Sequence, residues 1–178
     1  MAGKLIQVAN HLVASGSEVQ IVKLESCITT NDVHLLVANN ITVGAAGGIC
    51  DIQPLVDSTA DTTSNIDVAW INFNQSASGA YQNFGNANQS IWRITDGMNE
   101  VPNAAHFIMY LHNFNSSSEF SYITTDIVSH QGSHLYGFSQ GGVKTETTAY
   151  NGVQIETNQS GGGGFQAKTQ YTLYKIES

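Results

Sequence analysis

An all-β chain, folded as a jelly-roll sandwich of two antiparallel sheets, is the architecture this sequence predicts, and three observations predict it. Short stretches of alternating apolar and polar side chains recur along the 178 residues, while the three-and-four spacing of a helix face does not. Turn formers interrupt those stretches roughly every eight to twelve positions, the spacing of a sandwich or barrel. Seventeen glycines against two prolines, with abundant Asn, Ser and Thr and only 11% charged residues, suit many strands joined by polar turns. A single domain of this length buries roughly 70% of its unfolded surface. The 41% hydrophobic content runs along the whole chain, so a packed core is expected rather than disorder.

The elements follow in order. Residues 4–13 read as an opening strand or a short helix, and residues 18–24 as a strand with a register slip at Val22, as a bulge requires. Residues 34–37 and 41–43 are two strands parted by the turn pair Asn39-Asn40, and residues 45–48 a tight passage of small residues. Residues 51–65 form a polar loop; residues 66–73, Ile-Asp-Val-Ala-Trp-Ile-Asn-Phe, form a strong strand. Residues 74–90 are a long surface excursion, either a contact loop that presents Tyr81 and Phe84 or a passive loop pinned by them.

A strand over residues 90–95 ends at the turn Asp96-Gly97. Residues 106–114 place Phe107, Met109 and Leu111 on one face and Ile108, Tyr110, His112 and Phe114 on the other; residues 115–118 turn and residues 120–128 return as a hairpin. An element apolar on both faces is central, covered on both sides by a second sheet or by another subunit. Then come a strand over 134–138, a turn at Gly141-Gly142 and a strand over 143–148. After the turn Tyr150-Asn151-Gly152, a hairpin is expected to run from Val153 to Ile176 around a flexible tip at 158–164.

Six basic and fourteen acidic residues give a formal net charge of −8, and the six basic residues are scattered. Binding to nucleic acid or to an anionic membrane needs a concentrated basic patch, so neither partner is expected. No apolar run is long enough for a spanning helix, and the opening Met1-Ala2-Gly3-Lys4 leads into polar-interrupted sequence; synthesis in a cytoplasm is the expectation. Cys27 and Cys50 stand alone in the sequence. They form one disulfide or, as a reducing compartment favours, two thiols acting as small hydrophobes.

Candidate chemistry is sparse. His112, His130 and His134, with Asp126 or Glu119, could make a metal or general-base site, but Gln131-Gly132-Ser133 reads as a loop, so the one-face argument for helical zinc ligands does not apply. Ser139 satisfies the letters of G-x-S-x-G within Gly137–Gly141 without the strand-to-helix setting that exposes a nucleophile. Asp126, Glu119, Glu146 and Glu156 could supply a glycosidase pair, yet each reads as an exposed carboxylate on a strand. Gly161–Gly164 lacks the helix and Lys-Thr of a phosphate loop. No enzymatic activity, cofactor or metal is expected.

Five features in the second half carry a resemblance: Ile91-Trp92-Arg93-Ile94, Met109-Tyr110-Leu111, Gly137-Phe138-Ser139, Gly152-Val153-Gln154-Ile155, and the closing Gly164-Phe165-x-Ala167-x-Thr169-x-Tyr171-x-Leu173-Tyr174. Over residues 90–176 the chain resembles the jelly-roll domains of virion proteins from tailed bacteriophages, marine ones in particular. The resemblance implies a virion protein made in the host cytoplasm: a trimeric capsid decoration (cement) protein on the capsid surface, bound to the major capsid protein, or else a tail-fibre or spike protein that recognises host glycan. In the first role Leu5, Ile6, Val8, Leu12 and Val13 are the candidates for shell or subunit contact, as an N-terminal arm over residues 1–15 or as the first strand of the chain's own sheet. In the second, Tyr81 and Phe84 would stack on sugar.

Overall fold

The alternating segments settle into thirteen strands in the computed structural model, which describes residues 3–16, 18–44, 48–74, 82–98, 104–131, 134–157 and 163–177. Eight form one antiparallel sheet in the spatial order β1 (Lys4–Leu12), β13 (Gln170–Glu177), β3 (His34–Ile41), β9 (Ala105–His112), β10 (Ser121–Gln131), β11 (His134–Lys144), β6 (Ile66–Asn74) and β7 (Gln82–Gln89). The second sheet runs β2 (Ile21–Leu24), β12 (Gly152–Thr157) and β4 (Gly48–Val56), with β5 (Thr59–Ala60) and β8 (Trp92–Met98) both paired to β4. The chain is therefore an all-β sandwich of two antiparallel sheets, jelly-roll-like in build.

One core lies between the layers. Leu36, Phe107, Met109, Leu111, Ile123 and Leu173 come from the large sheet, and Val22, Leu24, Ile52, Val153, Ile155 and Trp92 from the small one. Trp92 anchors it. Its indole lies 5.7 Å from Phe114, whose ring lies 6.0 Å from that of Tyr150, and all three are buried. The two cysteines are free thiols, Cys50 inside this core and Cys27 half-buried at its margin; burial pushes the Cys27 thiol up to about 11, so it stays protonated at neutral pH.

Gly142 belongs to this packing. It lies inside β11, and a Cβ there would fall 2.7 Å from Nε1 of Trp92 and 3.0 Å from Ile123. Neither neighbour has room to move, so Gly142→Ala is expected to cost about 1–3 kcal/mol, read as a lowered midpoint of denaturant unfolding. Gly137 offers the contrast, because a methyl there would meet only the ring of Phe73, which is exposed and free to swing away.

Several expectations from the sequence are corrected. The largest concerns the C-terminus: β12 and β13 do not pair. β12 lies between β2 and β4 in the small sheet, and β13 between β1 and β3 in the large one. Phe165, fully buried, makes the crossing by bridging to Val19 and Val43, and Gly164 lets the backbone approach Val19, where a Cβ would fall 2.8 Å from its nitrogen. Of the expected flexible tip, residues 158–162 lie outside the described residues; Gly163 and Gly164 are buried.

Residues 51–65 are not one polar loop, since β4 occupies residues 48–56 as a central, buried strand. Its polar letters are paired rather than solvated: Asp51 with Arg93 at 3.2 Å, and Gln53 with Gln154 at 3.1 Å. Of the expected excursion over residues 74–90, Gln82–Gln89 are strand β7 at the sheet's edge rather than loop; residues 75–81, Tyr81 among them, lie outside the described residues. The pairs Asp96-Gly97 and Gly141-Gly142 sit within strands β8 and β11. The two short strands around Asn39-Asn40 are a single β3 with an irregular register between Ala38 and Ile41, which Asn40 accommodates at a φ of 54°. β11 ends at Lys144 rather than continuing through residue 148, and β2 pairs without a slip at Val22. Residues 4–12 resolve the choice between helix, arm and strand: they are β1, paired along β13.

Candidate functional site

Strand alternation gives each sheet an inner and an outer face, and the two outer faces differ in kind. That of the small sheet carries Lys23, Asp51, Gln53, Arg93, Gln154 and Glu156, tied to one another or to backbone: Gln154 Nε2 donates to Glu156 at 3.0 Å, and Lys23 Nζ to the carbonyl of Ser58 at 2.6 Å. This is a polar, internally paired face, with Asp51, Gln53 and Gln154 themselves buried in it.

The outer face of the large sheet is not. The registers line up Thr172, Val37, Ile108, Asp126, Ser139 and Ile71 in one row from β13 to β6. The next row places His106, Val128, Gly137 and Phe73 side by side, and the row on the other side carries Tyr174, Leu35, Tyr110, Thr124, Gly141 and Ala69. Ile71 is 49% exposed, Val128 41% and Ile108 39%. Phe73 folds over Gly137, where the missing side chain leaves the ring a seat, a device that covers a glycine's backbone in a sheet. Beside it a groove of about 470 Å³ is lined by Val37, Phe73, His106, Ile108 and Val128, and a second of about 550 Å³ lies over Thr124, Gly141 and Ala69.

Charge is almost absent from this face. Among the described residues the eight strands turn only two acids outward, Asp67 and Asp126, and no lysine or arginine. Both acids are held by neighbours: Ser139 Oγ donates to Asp126 Oδ1 at 2.8 Å, and the backbone N–H of Asn88 to Asp67 Oδ1 at 2.9 Å. A surface short of charge and rich in aliphatic and aromatic side chains has the composition of an interface core. The outward side chains of β9, Ile108, Tyr110 and His112, form the expected second face, with Ile108 open to solvent; Phe114, expected on the same face, lies past the strand's end and is buried in the core against Trp92.

The five N-terminal candidates divide. Leu5 and Leu12, 55% and 57% exposed, point from edge strand β1 to this outer face; Ile6 and Val8 are half-buried, and Val13 is buried in the core beyond the strand's end. Phe84, on edge strand β7, stacks at 5.4 Å on Trp70 and keeps its other side exposed.

The candidate chemistry is not brought together. His112 faces Tyr122 at one end of β10, while His130 lies at the strand's other end, about 26 Å away at the rise of an extended chain. Among the described residues no group of three His, Cys, Asp or Glu side chains is placed to hold a metal ion. Ser139 sits in mid-strand, opposite Asp126, on no turn. Glu119 is exposed, and Glu156 accepts from Gln154.

A second cluster was missed from the sequence. Lys144, at the end of β11, is wholly buried, and its Nζ meets Asp61 Oδ2 at 2.9 Å, Thr63 Oγ1 at 2.7 Å and Asn65 Oδ1. Glu146 Oε2 lies 4.0 Å from the same nitrogen and accepts from Asn65 Nδ2 at 2.5 Å. Asp61 also accepts from Tyr150 O–H at 2.8 Å. The signal was there only in part: a lysine ends a strand whose nearest inner residues, Phe138, Gln140 and Gly142, carry no charge. Its partners come from a loop some eighty residues earlier, and no local pattern announces them.

These groups set the acid sensitivity. Burial works to raise the Asp61 carboxyl, but hydrogen bonds from Thr63, Lys144 and Tyr150 outweigh it and hold it down at about 2. His34, buried with its Nδ1 donating to the carbonyl of Asp32 at 2.8 Å, is pushed below the ordinary 6.5, chiefly by burial. In both cases the unfolded chain takes the proton more readily, so each contribution is full above the ordinary value and drains away as pH falls toward the lowered one. Stability is therefore expected to decline first as pH drops below about 6.5 and again between about 4 and 2, checked by urea unfolding across pH.

Comparison with protein-family models and with curated proteins finds no match for this chain.

Proposed function

We propose that the chain is a virion structural protein, a capsid decoration protein that assembles as a homotrimer on a shell of major capsid protein and stabilises it. The observation that carries this reading is the outer face of the eight-stranded sheet, rich in apolar side chains along its central strands and bearing only two acids among the described residues, each accepting a hydrogen bond from a neighbour. Its occupant is another copy of the chain. Two molecules of net charge −8 repel, and the face with least charge is where they meet at least cost. Shell contact falls to β1, which stands at the sheet's edge with Leu5 and Leu12 outward and can pair with a strand of a neighbour. Cementing then works by mass action: a subunit that binds only the assembled shell stabilises it according to its affinity and concentration.

The second reading is a receptor-binding tail protein. The Trp70–Phe84 stack favours it, because an aromatic ring with one exposed side can hold a sugar face. Imaging of intact particles at side-chain resolution separates the two. Density for this fold at every capsomer supports decoration; density confined to the tail supports the alternative and overturns the first reading.

A further inference from the structure

We propose that Lys144 and Asn65 are joined by an intramolecular isopeptide bond, formed by the folded chain itself. The geometry on which this rests is the cluster at the end of β11. A fully buried primary amine is set against a carboxamide, and one carboxylate, Glu146, reaches both reacting groups: it lies 4.0 Å from Nζ and accepts from Asn65 Nδ2 at 2.5 Å. Beside the ion pair of Lys144 and Asp61, the carboxamide of Asn65 sets its oxygen against the amine and hands its nitrogen to a second acid, which places all three groups of an amide exchange in contact.

Each group has a part in the reaction. Asp61, held as a carboxylate by Thr63 and Tyr150, fixes Nζ at 2.9 Å, and Thr63 Oγ1 fixes it from another side at 2.7 Å. The ammonium passes one proton to Glu146, and neutral Nζ adds to Cγ of Asn65. The intermediate collapses as the Cγ–Nδ2 bond breaks. The departing nitrogen takes one proton from Nζ and one from Glu146, so an ammonium ion leaves and an amide N–H remains. Nζ–Cγ is the bond gained, Cγ–Nδ2 the bond lost, and no oxidant or co-reactant is needed. Burial of the amine excludes water, which would otherwise compete for the same carbon.

The link would tie the end of β11 to the residue before β6, its neighbour in the sheet, where Lys144 pairs with Ile66. It would close the chain from residue 65 to residue 144, five of the eight strands of the large sheet included. This inference concerns the chain alone and stands apart from any role in a particle.

Intact-mass spectrometry of the purified wild-type protein tests it. The expected mass is lower than that of the sequence by one ammonia, and a digest yields a branched peptide joining the segments of Lys144 and Asn65. The deficit should vanish in Lys144→Arg and Asn65→Ala, and Glu146→Gln should leave most molecules unlinked. A wild-type mass equal to that of the sequence overturns the proposal. So does an ammonia deficit that maps to a succinimide at Asn151-Gly152, or a water deficit that links Lys144 to Asp61.

Discussion

Relative to the chain in which the Lys144 ammonium pairs with Asp61, replacing Lys144 by alanine is expected to lower stability by about 3–5 kcal/mol, the cost of removing one partner from a buried charged pair. The side chain is wholly enclosed, and its loss leaves Asp61, Thr63 and Asn65 turned toward an empty space where an amine had satisfied them. For a chain of this length that is a fall of roughly 6–20 °C in the thermal midpoint. The loop that carries Asp61, Thr63 and Asn65 leads directly into β6, so the damage should spread to the β6–β11 pairing, and amide exchange should quicken there before it does in β9 or β10. Lys144→Arg keeps the charge without the compact ammonium and is expected to recover only part of the loss. A variant as stable as the wild type would mean that the cluster is solvated and carries no weight in the fold.

Ile108→Lys is expected to abolish association between copies while leaving the isolated fold intact. Ile108 lies at the middle of the outer face, on the central strand β9, and is exposed in the single chain, so the lysine stays in water there. In an assembly the same lysine is buried against apolar neighbours with no partner. A central interface position of this kind loses at least about 2 kcal/mol, or roughly 30-fold in affinity. Thermal unfolding of the separated subunit should match the wild type at high dilution. Thr124→Lys, at the second groove of the same face, should have a similar effect, whereas Lys23→Ala on the outer face of the small sheet should have none.

What could be read from the sequence follows how local the interactions are. The β9–β10 hairpin was legible because its strands are long, alternate strictly and are joined by only the eight residues 113–120. The two-layer architecture followed from the same period repeated along the chain. The pairing of β13 was not legible: its partners begin at residue 4 and residue 34, and nothing near residue 170 names them. The adjacent strand, β12, looked like the natural partner, and Phe165 overrode it by crossing between the layers. β4 was hidden for a related reason, since Asp51 and Gln53 read as solvent-facing until Arg93 and Gln154 are placed beside them. For the candidate site, the apolar second face of β9 was visible as a pattern, but its lack of charge emerges only when eight strands are laid in register.

The most direct measurement for the assembly role is the oligomeric state of the purified full-length chain, followed by sedimentation velocity across a wide concentration range. A trimer that persists on dilution, and that separates into monomers when Ile108 becomes lysine, is the expected result. A wild-type chain that sediments as a monomer at every concentration would contradict it.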